Sequence, residues 1–459
     1  MSIGSDILNQ VNHASMDANV PTGSGGRPNQ SDERLPTELI AFAVRKEAHS
    51  KELAKRFNAQ MPPVVWAYFE AAAQGNWPEA ARLGEELRHL SFPPGLPKPD
   101  PIVTSQVWSA VMEIFMAFAQ FAIGDPKYAF RFGQDIIRSI PSGSIFFGGT
   151  DAGRGLVTAL CRSHETGDPF FTLTQNALGD RPYLLYLREI YGRSIFIPSD
   201  EDLQQARDEY QRDLERRERE HELVPGERVE RVDGKIQCTT VIAGWAVNSA
   251  LARLIFDRNP DRQFFVEESF HLEWMYPHLV PHGLVMAICR QPLVTLPPEL
   301  VEQDRKYWSD QIAEMLGDWL RLETPVSEVC AFAEKVFLRK DLGGFTGDPK
   351  YVASEPACHA FSKLRTAIAG LYGWRMRNDS DPAAQRRMAE AADFACRQAF
   401  VLSPRSPEAA IRCMGHYLSE NRPAEALLVV ETASRLAPEN NQLQSWLQSL
   451  ARKVRNEQA

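Results

Sequence analysis

Glycine and polar residues are concentrated near residue 150, between a predicted strand and a predicted helix. The segment GGTDAGRG, residues 148–155, could hold an anion, because backbone N–H groups and a helix dipole favour negative charge at such a junction. Arg154 could add a charge-assisted hydrogen bond, and Asp151 could cap the helix. The spacing is neither a dinucleotide fingerprint nor a Walker loop. Two interpretations therefore stay open: a tight structural turn, or a site for a phosphate or a sugar nucleotide.

A second polar group follows the next predicted strand. Asn176 and Asp180 lie in TLTQNALGD, directly after an apolar run, and ligands favour the carboxyl ends of strands. We therefore expect both residues, with Tyr183, to line one cleft beside the glycine-rich segment. Catalytic residues stay unassigned and no cofactor is expected. The candidate ligand-binding residues are Gly149, Thr150, Asp151, Gly153, Arg154, Gly155, Asn176 and Asp180.

Histidines and carboxylates are dense between residues 267 and 282, and these side chains can bind zinc or iron. The residues concerned are Glu267, Glu268, His271, Glu273, His278 and His282. Pro277 and Pro281 prevent the regular helix that would align His278 with His282. We therefore predict no metal site, and instead an aromatic-rich wall that closes the end of the sheet and shares the cleft.

Composition disfavours several classes of function. The formal net charge of -9 opposes nonspecific binding to nucleic acid, since phosphates attract basic faces. The seven cysteines are scattered without a C-x-x-C pair, which indicates reduced thiols in a cytoplasmic compartment. The longest apolar stretch, Val107 to Ile123, contains Glu113 and Gln120 and is too short to span a bilayer. We expect a soluble protein in which this stretch is a buried helix.

Strands and helices alternate in the middle of the chain. The segments SGSIFFGG and DPFFTLTQ predict buried strands, and each is followed by a loop and a helix. A third strand is predicted from Arg262 to Glu267, after the helix WAVNSALARLIF. This alternation indicates a small parallel or mixed sheet.

Helix pairs with a repeat period are predicted at the C-terminal end. FACRQAFVLSP ends at Pro404 and ALLVVETASRLAP ends at Pro438, 34 residues later, which is the length of one tetratricopeptide unit. Ala392 and Ala399 recur as Ala426 and Ala433 at the small-residue positions. Earlier helix pairs are predicted around Gly75-Asn76 and Gly124-Asp125, and the segment RNDSDPAAQ is predicted as a longer loop.

The predicted fold class is mainly α with a small α/β module, in which tetratricopeptide-like helix pairs flank a short parallel or mixed sheet. The predicted organisation is a disordered arm (1–36), a helical-pair region (37–135), an α/β module with a charged helix insertion (136–300), and a helical region ending in repeats (301–459). The insertion, around residues 207–222, mixes both signs of charge and is expected to be a solvated helix.

Three short motifs, PSGSIFFGGTD, TLTQNALGD and DRQFFVEES, resemble the soluble half of multi-pass membrane glycosyltransferases related to protein O-mannosyltransferases. That soluble half often carries tetratricopeptide repeats. Such a transferase needs its membrane-embedded half for catalysis, and this chain has no predicted spanning segment. The resemblance therefore implies at most an acceptor-recognition or partner-binding module, and no catalytic residue is carried over. It would imply a periplasmic location, whereas the N-terminus shows no export signal.

The leading functional hypothesis is a noncatalytic interaction or scaffold protein that binds another protein or peptide through its helical repeats. The alternative is a ligand-binding or enzymatic subunit that uses the segment from Gly148 to Gly155 for a phosphorylated or glycosylated compound. Whether the chain is an enzyme stays open.

Overall fold

The computed structural model describes residues 37–91, 107–148, 151–224, 226–232, 235–238, 240–268 and 272–458. The predicted arm, residues 1–36, lies outside these ranges. The described chain divides into two compact units. The N-terminal unit contains the described residues up to 223 together with 228–265, and the C-terminal unit contains those of 224–227 and everything from 266 onwards. The boundary at 265/266 falls within the span predicted as one α/β module.

The architecture is mainly α-helical with a small mixed β-sheet, as predicted. The described strands are β1 (Ile145–Gly148), β2 (Phe171–Thr174), β3 (Val229–Val232), β4 (Lys235–Cys238), β5 (Phe264–Val266), β6 (Leu279–His282) and β7 (Val285–Ile288). Five of them form one sheet in the order β2-β1-β5-β7-β6, and β3 pairs with β4 separately.

Helices make up most of the N-terminal unit. They are α1 (Thr37–Arg56), α2 (Pro63–Ala73), α3 (Trp77–Ser91), α4 (Val107–Ile123), α5 (Pro126–Ser139), α6 (Asp151–Leu160), α7 (Ser163–Thr166), α8 (Arg181–Tyr191), α9 (Asp200–Glu220) and α10 (Ile242–Arg258). The predicted turns separate α2 from α3 and α4 from α5. Gly75 adopts a φ of 71° at the first turn, and Asp125 caps α5 by accepting a hydrogen bond from the Lys127 N–H at 2.9 Å.

Strands β1 and β2 are parallel, with Ile145 opposite Phe171 and Gly148 opposite Thr174. Every residue of both strands is buried, which is typical of parallel strands covered on both faces. The predicted third strand is present as β5. The carboxyl ends of β1 and β2 therefore lie side by side at one edge of the sheet.

Two hairpins were not predicted from the sequence. One joins β3 to β4, and the other joins β6 to β7 in the C-terminal unit. The second hairpin turns at Gly283 and Leu284, where Gly283 has a φ of 62°. Glycine adopts this left-handed conformation without steric cost, and two-residue hairpin turns require it.

The helices of the C-terminal unit are α11 (Pro298–Leu316), α12 (Val326–Ala333), α13 (Pro349–Ala353), α14 (Glu355–Asn378), α15 (Pro382–Leu402), α16 (Pro407–Ser419), α17 (Pro423–Leu436) and α18 (Asn441–Gln458). The four alanines at the repeat positions, Ala392, Ala399, Ala426 and Ala433, are all buried.

The loop predicted between α14 and α15 is much shorter than expected. The two helices extend to Asn378 and from Pro382, which leaves only residues 379–381 between them. Asp381 makes this possible, because its carboxylate accepts hydrogen bonds from the N–H groups of Ala383 and Ala384 at 3.0 and 3.1 Å. An aspartate followed by proline is a strong helix start.

None of the helices in the described ranges combines the length and the apolar character required to cross a bilayer.

Candidate functional site

The glycine-rich segment is mostly helical and not a loop. Strand β1 ends at Gly148 and α6 already begins at Asp151. The predicted loop residues Gly153, Arg154 and Gly155 therefore lie in the first turns of a helix. The candidate residues Gly149 and Thr150 lie outside the described residues.

Gly155 lets two helices approach closely. A Cβ atom at this position would lie 3.0 Å from the Met116 Cβ and 3.1 Å from the backbone nitrogen of Ala117, both in α4. Packing of α6 against α4 therefore explains this glycine, which sequence reasoning placed in a ligand-binding loop.

Arg154 crosses the carboxyl ends of β1 and β2. Its Cβ atom packs over Gly148, since a Cβ there would lie 3.3 Å away. Its Nη1 donates a hydrogen bond to the Thr174 Oγ1 at 2.6 Å, and the Thr174 N–H donates to the Tyr183 hydroxyl at 2.7 Å. Only 8% of Arg154 is exposed, and its buried Nε has no hydrogen-bond partner among the described residues.

A fully buried charged network, absent from the predictions, also belongs to this unit. The Lys46 Nζ lies 2.5 Å from the Glu113 Oε2 and donates to the His164 carbonyl oxygen at 2.9 Å and the Tyr186 hydroxyl at 2.8 Å. The His164 Nδ1 lies against the other Glu113 oxygen. The side chains of Lys46, Glu113 and His164 have no exposed surface.

The protonation of this network follows from its burial and its charges. Burial would raise the pKa of the Glu113 carboxyl, but contact with the His164 ring, together with the charges of the Lys46 ammonium and the Arg154 guanidinium, outweighs it and holds that pKa well below its usual range. For His164, burial lowers the pKa more than the Glu113 carboxylate raises it. The ring is therefore neutral at pH 7.

Asn176 and Asp180 line an open cleft of about 570 Å³ in the N-terminal unit. The cleft lies among the segment after β2, the helices α9 and α10, and strand β4. Its lining residues are Asn176, Gly179, Asp180, Arg207, Tyr210, Gln211, Gln237, Cys238, Ala243, Gly244, Val247 and Asn248. Arg154 and the glycines of α6 are not among them, so the structure brings together only two of the candidate residues in this cleft.

Hydrogen bonds from side chains of α9 and α10 hold the backbone beside Asn176 and Asp180 in place. The Asn248 Oδ1 accepts from the Gly179 N–H at 2.6 Å, and its Nδ2 donates to the Asn176 carbonyl at 3.0 Å. Arg207 donates from Nη2 to the Gly179 carbonyl at 2.9 Å. The wall that carries Asn176 and Asp180 is therefore preorganised.

The side chains of Asn176 and Asp180 remain available to a ligand. Asp180 occupies the N-cap position of α8 but accepts no capping hydrogen bond; Pro182 follows as the second helical residue and supplies no N–H group. Asp180 is exposed. Within the described part of the chain, neither side chain makes a hydrogen bond.

Sequence reasoning missed several lining residues, including Arg207, Cys238, Gly244 and Asn248. An ideal Cβ at Gly244 would have no atom within 4 Å, so this side of α10 faces open space. At Cys238 burial opposes ionisation of the thiol, but hydrogen bonds involving Thr240, Tyr210 and the Ala243 backbone outweigh it and lower the pKa. The cleft thus contains a carboxylate, a guanidinium, amides, an aromatic ring and an ionisable thiol.

The segment 267–282 contributes no residue to this cleft, which corrects the expectation that it would. Within the C-terminal unit it packs as a wall: Tyr276 stacks on Trp374 with ring centroids 5.5 Å apart. Arg375 donates to the carbonyls of Pro277 at 2.9 Å and Leu293 at 2.6 Å. The described residues contain no cluster of histidine, cysteine and carboxylate side chains suited to a metal ion, and His271 lies outside them.

No protein-family model matches the chain, and neither a curated protein nor a solved structure is significantly similar to it.

Proposed function

We propose that the N-terminal unit binds a small ligand rich in hydroxyl groups, of the carbohydrate type, in the cleft lined by Asn176 and Asp180. The observation that carries this proposal is the Asp180 carboxylate, which stands at a helix N-cap without accepting a capping hydrogen bond and lines the cleft near the positive charge of Arg207. A carboxylate that is left out of the local hydrogen-bonding scheme on a fixed wall is suited to accept hydrogen bonds from ligand hydroxyl groups.

The composition of the cleft supports this ligand class. Asn176 and Gln237 offer amide donors and acceptors, Arg207 offers guanidinium N–H groups, and Tyr210 offers an aromatic ring. Such a mixture matches a ligand that presents both hydroxyl groups and apolar C–H faces. This form of the alternative hypothesis uses the segment after β2 and not the segment from Gly148 to Gly155, because the latter is largely helical.

A partner-binding role through the helical repeats is the second candidate. Each helix from α14 to α18 contacts the next one along the chain, which favours this role, since stacked helices present extended surfaces. Two features of the same unit favour it less. Every residue from 360 to 372 in α14 is buried, and Arg375 on that helix is held by backbone carbonyls of the segment 277–293. Other residues of the same chain therefore already cover α14 along this stretch.

Binding of neutral monosaccharides and disaccharides, measured by calorimetry, tests the first proposal. The Asp180→Asn substitution should weaken binding roughly tenfold or more, since a hydrogen bond to a charged group contributes about 1.5–3 kcal/mol. Gly244→Leu should abolish binding without loss of stability, because the added side chain enters open space beside the cleft.

The matched control is Asp257→Asn, which makes the same chemical change on the exposed face of α10, where Asp257 pairs with Arg253. It should leave binding unchanged. The proposal fails if no saccharide binds the unmodified protein, or if binding survives both cleft substitutions. A partner-binding role through the repeats predicts instead that Gly244→Leu has no effect on complex formation.

A further inference from the structure

We propose that a second site in the N-terminal unit, at the carboxyl ends of β1 and β2, binds a tetrahedral oxyanion of the phosphate class through Arg154. This site is separate from the cleft, and the inference goes beyond the proposed carbohydrate binding without depending on it.

The first argument is the charge balance of the buried side chains. Lys46 and Arg154 are both cationic, and the charges of both act on the Glu113 carboxylate. The Lys46 ammonium already neutralises Glu113 at 2.5 Å, and its other two N–H groups bind the His164 carbonyl and the Tyr186 hydroxyl. His164 contributes no charge. One positive charge among the described side chains therefore has no anion to balance it.

The second argument is that Arg154 carries this unbalanced charge. Its one described hydrogen bond goes to the neutral hydroxyl of Thr174. No described carboxylate oxygen lies within 4.0 Å of an Arg154 nitrogen, the distance that defines an ion pair. Arg154 is only 8% exposed, and no described group forms a hydrogen bond with its buried Nε. Burying a cation that forms no ion pair is unfavourable, so an anion bound beside Arg154 would offset part of this cost.

The third argument is the position of the guanidinium. It lies over the last residue of β1 and reaches the last residue of β2, the sheet edge where ligands of α/β proteins bind. Helix α6 has ten residues and begins at Asp151, three positions before Arg154, so the positive end of its dipole adds to the same field. A guanidinium also presents a planar fork of N–H groups that matches the oxygens of a phosphate.

Inorganic phosphate is the probe for this site, and the unmodified full chain is compared with Arg154→Gln. Phosphate should bind the unmodified protein saturably and raise its melting temperature relative to sodium chloride of equal ionic strength. Arg154→Gln should weaken phosphate binding at least tenfold. In phosphate-free buffer the same variant should melt at the same temperature as the unmodified protein or higher, because it removes an unbalanced buried charge.

The control is Arg207→Gln, which removes a guanidinium from the cleft and should leave phosphate binding within twofold. A purely structural Arg154 predicts the opposite pattern, in which Arg154→Gln melts lower or fails to fold even without phosphate; that result overturns the inference. So does the absence of saturable phosphate binding. Glucose 6-phosphate forms a final arm: tighter binding than phosphate assigns the site to a phosphate ester, and equal binding assigns it to the free anion.

Discussion

Replacing Glu113 by glutamine should destabilise the N-terminal unit strongly. The substitution keeps the size of the side chain but removes the charge that neutralises Lys46, whose Nζ lies 2.5 Å from the Glu113 Oε2. Neither side chain has exposed surface, so water cannot solvate the ammonium that is left behind. Removing one partner of a buried ion pair typically costs about 3–5 kcal/mol, and we expect the free energy of unfolding to fall by that amount.

A matched pair on the same helix provides the control. Lys51 and Glu47 form an ion pair with nearly the same separation, 2.6 Å, but 59% of Lys51 and 21% of Glu47 are exposed. Exposed pairs contribute about 1 kcal/mol or less. Glu47→Gln should therefore change the free energy of unfolding by less than about 1 kcal/mol.

Urea denaturation is the assay, with hydrogen exchange of peptides from α1 and α4 reporting on the N-terminal unit separately. The pH dependence adds a second readout. Because the folded state lowers the pKa of Glu113 below its usual value of 4.5, the carboxylate stabilises the fold above that pH and this stabilisation is lost as the pH falls below it. The difference in the free energy of unfolding between the unmodified protein and Glu113→Gln should therefore become smaller below about pH 4.5. A cost for Glu113→Gln no larger than that for Glu47→Gln would refute the reasoning from burial.

Two further predictions concern a glycine and a cysteine. Gly155→Val should lower the free energy of unfolding by about 1–3 kcal/mol, since its Cβ would meet the backbone of Met116 and Ala117 at 3.1 Å. Gly244→Val places the new side chain in open space and should change the free energy of unfolding by no more than about 0.5 kcal/mol. Equal melting temperatures for the two variants would contradict this prediction. Iodoacetamide should alkylate Cys238 before Cys161, because the pKa of the Cys238 thiol is lowered and burial raises the pKa of the Cys161 thiol to about 11. Peptide mapping by mass spectrometry measures the order of labelling. Faster labelling of Cys161 would show that the reasoning is wrong.

Local sequence predicted the buried strands well and the hairpins poorly. Strands β1 and β2 are short continuous apolar runs, the pattern of parallel strands that are covered on both faces. Strand β6 was missed because Pro277 and Pro281 were treated only as helix breakers. Pro281 lies in β6, which is the last strand in the sheet order, and an edge strand tolerates a residue without an N–H group. The β3–β4 hairpin had an overlooked signal, the Asp233-Gly234 pair between two strand-like runs.

The candidate site was predictable only where it follows a strand. Asn176 and Asp180 were found because the residues after β2 must lie at the sheet edge. The lining residues from α9 and α10 could not be found this way, since Asn248 lies 69 residues from the Gly179 N–H that it binds. Gly153 and Gly155 were expected in a loop because glycine disfavours helices locally, whereas both lie in α6. At Gly155, close packing against α4 overrides that preference, and such packing is invisible in a local sequence pattern.

The position of Glu113 links the longest apolar segment of the chain to the sheet edge. On a membrane-spanning helix a central glutamate would be costly, whereas here it joins Lys46 of α1 to His164 of α7. Lys46 also binds Tyr186 of α8, so one carboxylate connects four helices around a single ion pair. Such a pair contributes little net stability compared with apolar packing. An arrangement of the helices that separated the two charges would nevertheless be unfavourable, because each charge would then be buried without its partner. We infer that Glu113 fixes the helix arrangement around the strand ends that Arg154 crosses.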